Sequence, residues 1–196
     1  MNAKLAILFL MLTIGTAMPV LLGIRHTFDI QLPNLHTGYQ PEQPIPYSHR
    51  LHAGYLNIDC QYCHTAADQG RHAGVPNLQT CMNCHNTVKG NTTESKERIA
   101  LLASKFADGT GVEWKRVHNN PDFVYFNHMA HVRIARNGEG FTCQECHGAV
   151  ENEGVAKQQE ILSMGWCLNC HRTWNEEYKK QGWEPAAPLN CDACHR

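Results

Sequence analysis

The 196-residue chain has almost no net charge and, beyond its first segment, few aliphatic side chains. A formal charge of −1 at pH 7 provides no electrostatic basis for binding nucleic acid, so we predict no nucleic-acid partner. The shortage of aliphatic residues in the body predicts a poor hydrophobic core. No stretch alternates apolar and polar residues as a half-buried strand does, which predicts little or no β-structure. Something other than aliphatic packing must therefore supply apolar volume.

Cysteine is absent outside one five-residue motif, Cys-x-x-Cys-His, which occurs five times and uses all ten cysteines. A disulfide framework needs no histidine, and zinc sites provide no reason for a histidine after each Cys-x-x-Cys. The motif is instead the attachment site of c-type haem, where both thiols form thioethers and the histidine binds the iron. Cysteines three residues apart lie on one side of a helical turn, beside the following histidine. We therefore predict five covalently bound haem c groups, which would supply the missing apolar volume.

The five motifs define the predicted haem-binding residues. The thioether cysteines are Cys60, Cys63, Cys81, Cys84, Cys143, Cys146, Cys167, Cys170, Cys191 and Cys194. The proximal iron ligands are His64, His85, His147, His171 and His195.

The chain also offers enough histidines for the sixth position of each iron. Two His-x-x-His pairs precede haem motifs, and histidines three residues apart on a helical turn can each reach a different iron. The predicted distal ligands are His49, His52, His128 and His131 from these pairs, and His72 as the fifth. His118 and Met164 are the alternatives for the fifth position, and a Met ligand would raise the potential of that haem. His26 and His36 are predicted to lie on the surface or to contact a partner.

A haem iron with two protein ligands transfers electrons but binds no substrate. No Cys-x-x-Cys-Lys motif, which marks some catalytic haems, is present. The pattern therefore predicts an electron-transfer protein without a substrate site of its own, and no catalytic residue is assigned. A self-contained, membrane-anchored multihaem quinol dehydrogenase or reductase is the alternative, and it requires an open or labile iron.

The first segment contains a long apolar run, from Leu5 to Ile24, without a charged residue. About 20 such residues can span a bilayer as a helix. A secretory signal peptide is the competing interpretation, but its apolar core is shorter, and the best cleavage site, Gly15-Thr16-Ala17, lies inside the run. We predict a retained, single-pass anchor in the bacterial cytoplasmic membrane. Because haem is attached to c-type cytochromes outside the cytoplasm, the body is predicted on the periplasmic side.

The rest of the chain contains an internal duplication. Each copy has an aromatic residue, a His-x-x-His pair and two haem motifs, and the second copy adds a third motif. The predicted organisation is an anchor at 1–28, a Pro-rich tether at 29–46, a dihaem module at 47–90, a helical connector at 91–125 and a trihaem module at 126–196.

Local patterns predict three further helices. The connector helix would begin at a cap on Asn91, with Glu94 three residues on, and end near Gly109. Its apolar face is formed by Ile99, Leu102, Ala103 and Phe106. A shorter helix is predicted near 155–163 and another after His171.

Longer motifs carry a family resemblance. The run Trp114-Lys115-Arg116-Val117-His118-Asn119-Asn120-Pro121-Asp122-Phe123-Val124-Tyr125-Phe126-Asn127-His128 leads to the third motif, and Met164-Gly165-Trp166 precedes the fourth. With Arg71-His72-Ala73-Gly74-Val75-Pro76 before the second motif, the chain resembles the pentahaem cytochrome c subunit of alternative complex III, a bacterial quinol:electron-acceptor oxidoreductase. The resemblance covers nearly the whole chain. A related pentahaem subunit of another membrane oxidoreductase would share these motifs.

The resemblance implies a fold and a set of partners. The placement of His72 is similar to that in small c3/c7 cytochromes, so the expected fold class is mostly α and irregular, with c3/c7-like modules and one N-terminal transmembrane helix. In the resembled complex, an integral membrane subunit oxidises quinol. Electrons then pass through an iron–sulfur subunit and the pentahaem subunit to a monohaem cytochrome c or another periplasmic acceptor.

Overall fold

The computed structural model describes residues 3–28, 36–136, 142–184 and 186–195. The α-helices of these ranges are α1 (Ala3–Phe28), α2 (Cys60–Cys63), α3 (Leu78–His85), α4 (Thr93–Ala107), α5 (His128–Arg136), α6 (Gln144–His147), α7 (Met164–Lys180) and α8 (Cys191–Cys194). A π-helical turn covers Arg50–Tyr55, and a 3-10 turn covers Val150–Asn152. The β-pairing among the described residues is a single antiparallel bridge between Val124 and His195. The prediction of a mostly helical and irregular chain is therefore confirmed.

Helix α1 contains 26 residues and includes Pro19. Within the part of the chain that the structure describes, no helix combines the length and the apolar character needed to cross a membrane. The predicted membrane-spanning helix is thus not confirmed.

Helix α4 is the predicted connector helix, but its cap differs from the prediction. Thr92, not Asn91, caps it, because the Thr92 hydroxyl accepts a hydrogen bond from the Ser95 amide at 3.1 Å and Ser95 bonds back to the Thr92 amide. This is a capping box with serine in the place of the usual acidic residue. Gly109 follows the helix with φ of +64°, a left-handed conformation that glycine adopts without steric cost, so the predicted stop is confirmed.

A small apolar cluster packs α3 against α4. Its buried members are Ile45, Met82 and Leu102, and Val112 and Trp114 lie against it. The described residues contain one further buried apolar side chain, Ala67. The polypeptide alone therefore forms a small core, as the scarcity of aliphatic residues predicts.

Polar contacts hold the second buried region together. Gln158 is 1 % exposed, and its main chain pairs with segment 38–39 through Gly38 N to Gln158 O at 2.7 Å and Gln158 N to Tyr39 O at 3.0 Å. The Gln158 side chain accepts from the Asn119 amide at 3.3 Å and donates to Glu160 O at 2.9 Å. These bonds hold the segment in an extended course, so the helix predicted near 155–163 is wrong. The helix predicted after His171 is confirmed as the second half of α7.

The π-helical turn Arg50–Tyr55 packs against the 3-10 turn Val150–Asn152. The Arg50 amide donates to Glu153 O at 2.8 Å across this contact. The first His-x-x-His segment is thereby placed beside the chain that follows the third haem motif. The division into a dihaem and a trihaem module stays a prediction.

Candidate functional site

The second and fourth Cys-x-x-Cys-His motifs lie within α3 and α7, and the first, third and fifth coincide, to within one residue, with the four-residue helices α2, α6 and α8. Polar caps position three of these helices. The Asp59 carboxylate accepts from Gln61 N at 2.7 Å, the Asn77 side chain from Thr80 N at 2.9 Å and the Ser163 hydroxyl from Trp166 N at 3.2 Å. The ten cysteines, all within the described residues, form no disulfide and are exposed or half-buried. The two thiols of each motif are thus available on one face of a turn.

Four of the five motif histidines share one contact, a hydrogen bond from Nδ1 to a main-chain carbonyl. The distances are 2.7 Å from His64 to Gly74, 3.0 Å from His85 to Val88, 2.6 Å from His171 to Pro188 and 3.3 Å from His195 to Phe123. Because a carbonyl only accepts, Nδ1 carries the proton and the lone pair lies on Nε2. This contact fixes the tautomer and the orientation of an imidazole that binds metal through Nε2.

The Pro188 carbonyl, which accepts the hydrogen bond from His171, lies on a loop that is held by a buried amide side chain. Asn175 lies on α7 one turn after His171, and its side chain donates to Ala187 O at 2.8 Å and accepts from Ala187 N at 3.0 Å. These two bonds hold the loop that carries the Pro188 carbonyl against α7. The orientation of His171 therefore depends on a side chain outside the motif.

His147 is the exception among the motif histidines. Its Nδ1 lies 3.2 Å from Nε2 of His118, and the two rings meet edge to face with centroids 4.4 Å apart. Burial, with the neighbouring His118, lowers the pKa of His147 to about 3, and burial also lowers the pKa of His118. Both rings are neutral at pH 7, so one donates to the lone pair of the other.

The two His-x-x-His segments have the same local geometry. In each, the aromatic residue two positions before the first histidine lies edge-on to that histidine and stacks on the second. The centroid distances are 4.9 Å for Tyr47–His49, 4.5 Å for Tyr47–His52, 4.8 Å for Phe126–His128 and 4.5 Å for Phe126–His131. The second histidine also bonds through Nδ1 to the carbonyl four residues earlier, at 2.9 Å in the first copy and 2.8 Å in the second. The duplication seen in the sequence is thus also a structural one.

Three of the predicted distal histidines face a motif histidine at one common distance. The ring centroids are 6.2 Å apart for His52–His85, 6.4 Å for His128–His147 and 6.2 Å for His131–His171. Two imidazoles on opposite sides of one metal ion, each bound at about 2 Å, have centroids about 6 Å apart. The structure thus pairs the predicted ligands with the separation that one shared iron requires.

The remaining member of the first pair, His49, lies near the first motif. Burial, followed by the neighbouring His64 ring, lowers the pKa of His49. Its Nδ1 is buried and has no hydrogen-bond partner among the described residues. The equivalent atom of the second copy, His128 Nδ1, bonds to Arg71 O at 2.8 Å. His49 is therefore the candidate partner of His64.

The three candidates for the fifth position lie in different surroundings. His118 contacts Nδ1 of His147, and the His147 ring is the one that is paired with His128. Met164 is the first residue of α7 and is 65 % exposed. His72 is exposed, and it follows Arg71, whose guanidinium lies 4.3 Å over the Tyr125 ring.

Arg71 also connects His72 to the fifth motif. The guanidinium donates to Val124 O at 3.4 Å, and Val124 forms the bridge to His195. His72 is thus the candidate that the chain brings toward His195.

The two leftover histidines have different outcomes. His36 is 1 % exposed and lies edge-on to Tyr39 with centroids 5.6 Å apart, so its predicted surface position is wrong. It is buried because segment 38–39 pairs with Gln158. His26 lies within α1, and its side chain is outside the described part of the structure.

The thiols show which motifs are neighbours. Burial raises the pKa of Cys63, Cys60, Cys146 and Cys167, and in each case a thiol of another motif adds to the rise. The neighbouring pairs are Cys63 with Cys81, Cys60 with Cys143, Cys146 with Cys170, and Cys167 with Cys194. The first motif is therefore a neighbour of the second and the third, and the fourth is a neighbour of the third and the fifth.

The residues fit covalently attached haem. Paired thiols accompany each motif histidine, and paired imidazoles with the lone pair on Nε2 suit the two axial positions of an iron. Across the described ranges, no three His, Cys, Asp or Glu side chains converge into a metal site made of protein alone.

Two features of the site were not predicted from the sequence. Arg71 O orients His128, and His118 lies against His147. Both contacts join positions distant in sequence. The motif spacing, which reports only local geometry, carries no signal for either.

Comparison with known proteins gives matches along most of the chain. Residues 124–196 match the family of cytochrome c7 and related cytochrome c, and residues 26–112 match the class III cytochrome C family. A curated relative is the menaquinone reductase, multihaem cytochrome c subunit, of Nitratidesulfovibrio vulgaris. It is 30 % identical over 151 residues, which cover 69 % of this chain and 70 % of the relative.

Proposed function

Because this chain belongs to the c3/c7 family of multihaem cytochromes c, we propose that it is a five-haem electron-transfer subunit of a membrane-bound quinone oxidoreductase. Covalently bound haem c is the cofactor of this family, and electron transfer is its function. The observation that carries the proposal is the set of three imidazole pairs with centroids 6.2 to 6.4 Å apart. Each pair contains one motif histidine and one histidine from a His-x-x-His segment.

The ligand pairs follow from these contacts. The distal and proximal histidines of motifs one to five are His49 and His64, His52 and His85, His128 and His147, His131 and His171, and His72 and His195. The last pair is supported by Arg71, which joins the segment before His72 to the Val124 bridge of His195. In this arrangement each His-x-x-His segment binds two different irons and so holds two haems side by side.

The protein's own groups fix the geometry of each site. When bound, each haem iron takes up and releases one electron. The carbonyl bonds at Nδ1 hold the imidazole planes and make Nε2 a stronger donor to the iron. Two such nitrogen donors would hold each iron and would leave no position for substrate or water. The stacked Tyr47 and Phe126 rings restrict rotation of the histidines beside them.

The finer assignment has two candidates. The sequence motifs favour a subunit of alternative complex III, which oxidises quinol and passes electrons toward a periplasmic acceptor. The partners would then be an iron–sulfur subunit, a quinol-binding integral membrane subunit and a monohaem cytochrome c. The relative's name favours a menaquinone reductase, in which electrons would flow to the quinone.

We also propose that the body lies on the periplasmic side of the bacterial cytoplasmic membrane and is attached by residues 1–28. The uncharged run Leu5–Ile24 supports this placement.

Mass and spectra of the mature protein test the cofactor proposal. We expect the mass of the polypeptide plus five haems, and only low-spin ferric haem. His131→Ala should convert one haem of five to high spin, whereas Met164→Leu, which removes a side chain that these pairs do not use, should leave the spectrum unchanged. A polypeptide mass without haem, or a low-spin spectrum unaffected by His131→Ala, would refute the proposal. A high-spin haem in the unaltered protein would favour a self-contained enzyme.

Purification from native membranes tests the assembly. We expect co-purification with an integral membrane subunit, and the direction of flow separates the candidates. Rapid haem reduction by a menaquinol supports quinol oxidation, and rapid reoxidation by a menaquinone supports the reductase. Elution of this chain alone in mild detergent would contradict both.

A further inference from the structure

The third motif is the one at which a side chain, His118, lies at Nδ1 of the proximal histidine. At the other four motifs the acceptor for the proximal Nδ1 is a main-chain carbonyl, whereas at the third motif it is Nε2 of His118, 3.2 Å from His147 Nδ1. If an iron is bound at Nε2 of His147, its Nδ1 must carry the proton. The direction of the hydrogen bond is then determined: His147 donates and His118 accepts.

The position of His118 is built into the scaffold. The following residue, Asn119, donates its amide to the side chain of the nearly buried Gln158 at 3.3 Å. Gln158 is in turn paired with segment 38–39 through its main chain. Three separate parts of the chain thus hold His118 against His147.

The His128–His147 pair also differs from the other two imidazole pairs in the angle between its ring planes. The His128 and His147 planes differ by 12°, whereas the planes differ by 64° in His52–His85 and by 30° in His131–His171. A hydrogen bond at Nδ1 determines how an axial imidazole is rotated about its bond to the metal. The edge-to-face contact with His118 therefore restrains the plane of His147.

On these grounds, and resting on the proposed axial pair His128–His147, we propose that His118 is a positioning residue for the third haem and not an iron ligand. By accepting a hydrogen bond from Nδ1 of His147, it keeps the rings of His128 and His147 nearly parallel and makes His147 a stronger donor to the iron. A stronger axial donor stabilises the oxidised iron and lowers its potential. The third motif has both the first and the fourth as neighbours, so the potential of its haem affects transfer between those two.

The test compares three variants of the full haem-loaded chain. His118→Leu replaces the imidazole with an apolar side chain and so removes the acceptor. His118→Gln restores an acceptor through its amide oxygen. His131→Ala is the comparison for true ligand loss. If His118→Leu does not accumulate, His118→Phe replaces it, since it also lacks an acceptor.

We expect His118→Leu to retain five low-spin haems, to raise the midpoint potential of one, and to change the electron paramagnetic resonance g-values of that haem. His118→Gln should return both properties toward those of the unaltered protein. A new high-spin haem in His118→Leu, like that expected of His131→Ala, would overturn the proposal by making His118 a ligand. Unchanged potentials and g-values in His118→Leu would also overturn it. If His131→Ala produces no high-spin haem, the axial assignment itself has failed.

Discussion

At the scale of single residues, the aromatic side chain before each His-x-x-His pair contacts both histidines at once. Tyr47 and Phe126 make this contact with nearly the same distances, although one carries a hydroxyl group and the other does not. Burial, and then the nearby Cys63, raise the pKa of Tyr47, so its hydroxyl stays protonated. The shared element of the two copies is therefore the ring, and its role is to restrict the two histidines together.

Substitutions at Tyr47 separate the ring from the hydroxyl. In Tyr47→Ala both His49 and His52 lose the surface that restrains them, so we expect partial high-spin character at two haems of the five. Tyr47→Phe is the matched control, because it reproduces the residue of the second copy, and its spectrum should equal that of the unaltered protein. Optical and electron paramagnetic resonance spectra measure both. High-spin character in Tyr47→Phe would show that the hydroxyl, not the ring, is required.

At the scale of elements, the two copies meet where the turn Arg50–Tyr55 packs on the turn Val150–Asn152. Gly54 lies at the contact, and a Cβ atom there would collide with the main-chain oxygen of Glu151. A main-chain atom cannot move aside as a flexible side chain can. The close approach therefore depends on glycine.

We expect Gly54→Ala to push the two turns apart and to destabilise the holoprotein by about 1–3 kcal/mol, the usual cost of overpacking. The midpoint of denaturant unfolding measures this. Gly111→Ala is the matched control, because a Cβ there meets nothing within 4 Å, and its midpoint should not fall. Equal midpoints for the two variants would mean that the turns tolerate separation.

Elements with strong local patterns were predicted from the sequence, and elements determined by distant contacts were not. The connector helix follows from its apolar spacing and from Gly109, while its cap moved by one residue because a Thr-Ser pair substitutes for the expected Asn-Glu pair. The segment near 155–163 has helix-compatible residues, but its main chain pairs with segment 38–39. Likewise His36 is buried by that pairing, which leaves no trace in its own neighbourhood.

At the scale of the whole molecule, the motifs do not follow the order of the chain. The second motif is a neighbour of the first, the first of the third, the third of the fourth and the fourth of the fifth. Motif spacing could not predict that the first and third motifs are neighbours, because contacts between positions distant in sequence, such as turn Arg50–Tyr55 on Val150–Asn152, bring them together. The third motif is thus a neighbour of both the first and the fourth, and we expect electrons that pass between those two to use its haem.

Removal of the central haem tests this order. In a Cys143→Ala, Cys146→Ala variant the four remaining haems form two separated pairs, so reduction by a quinol in native membranes should split into a fast phase and a slow phase, each of about two haems. In a Cys191→Ala, Cys194→Ala variant the four remaining haems stay connected, and we expect one phase, because loss of a terminal haem interrupts no internal step. Stopped-flow absorbance at the haem bands measures the phases. A single phase in the central variant would mean that electrons bypass the third motif, and that the order of sites in the fold is not the order of transfer.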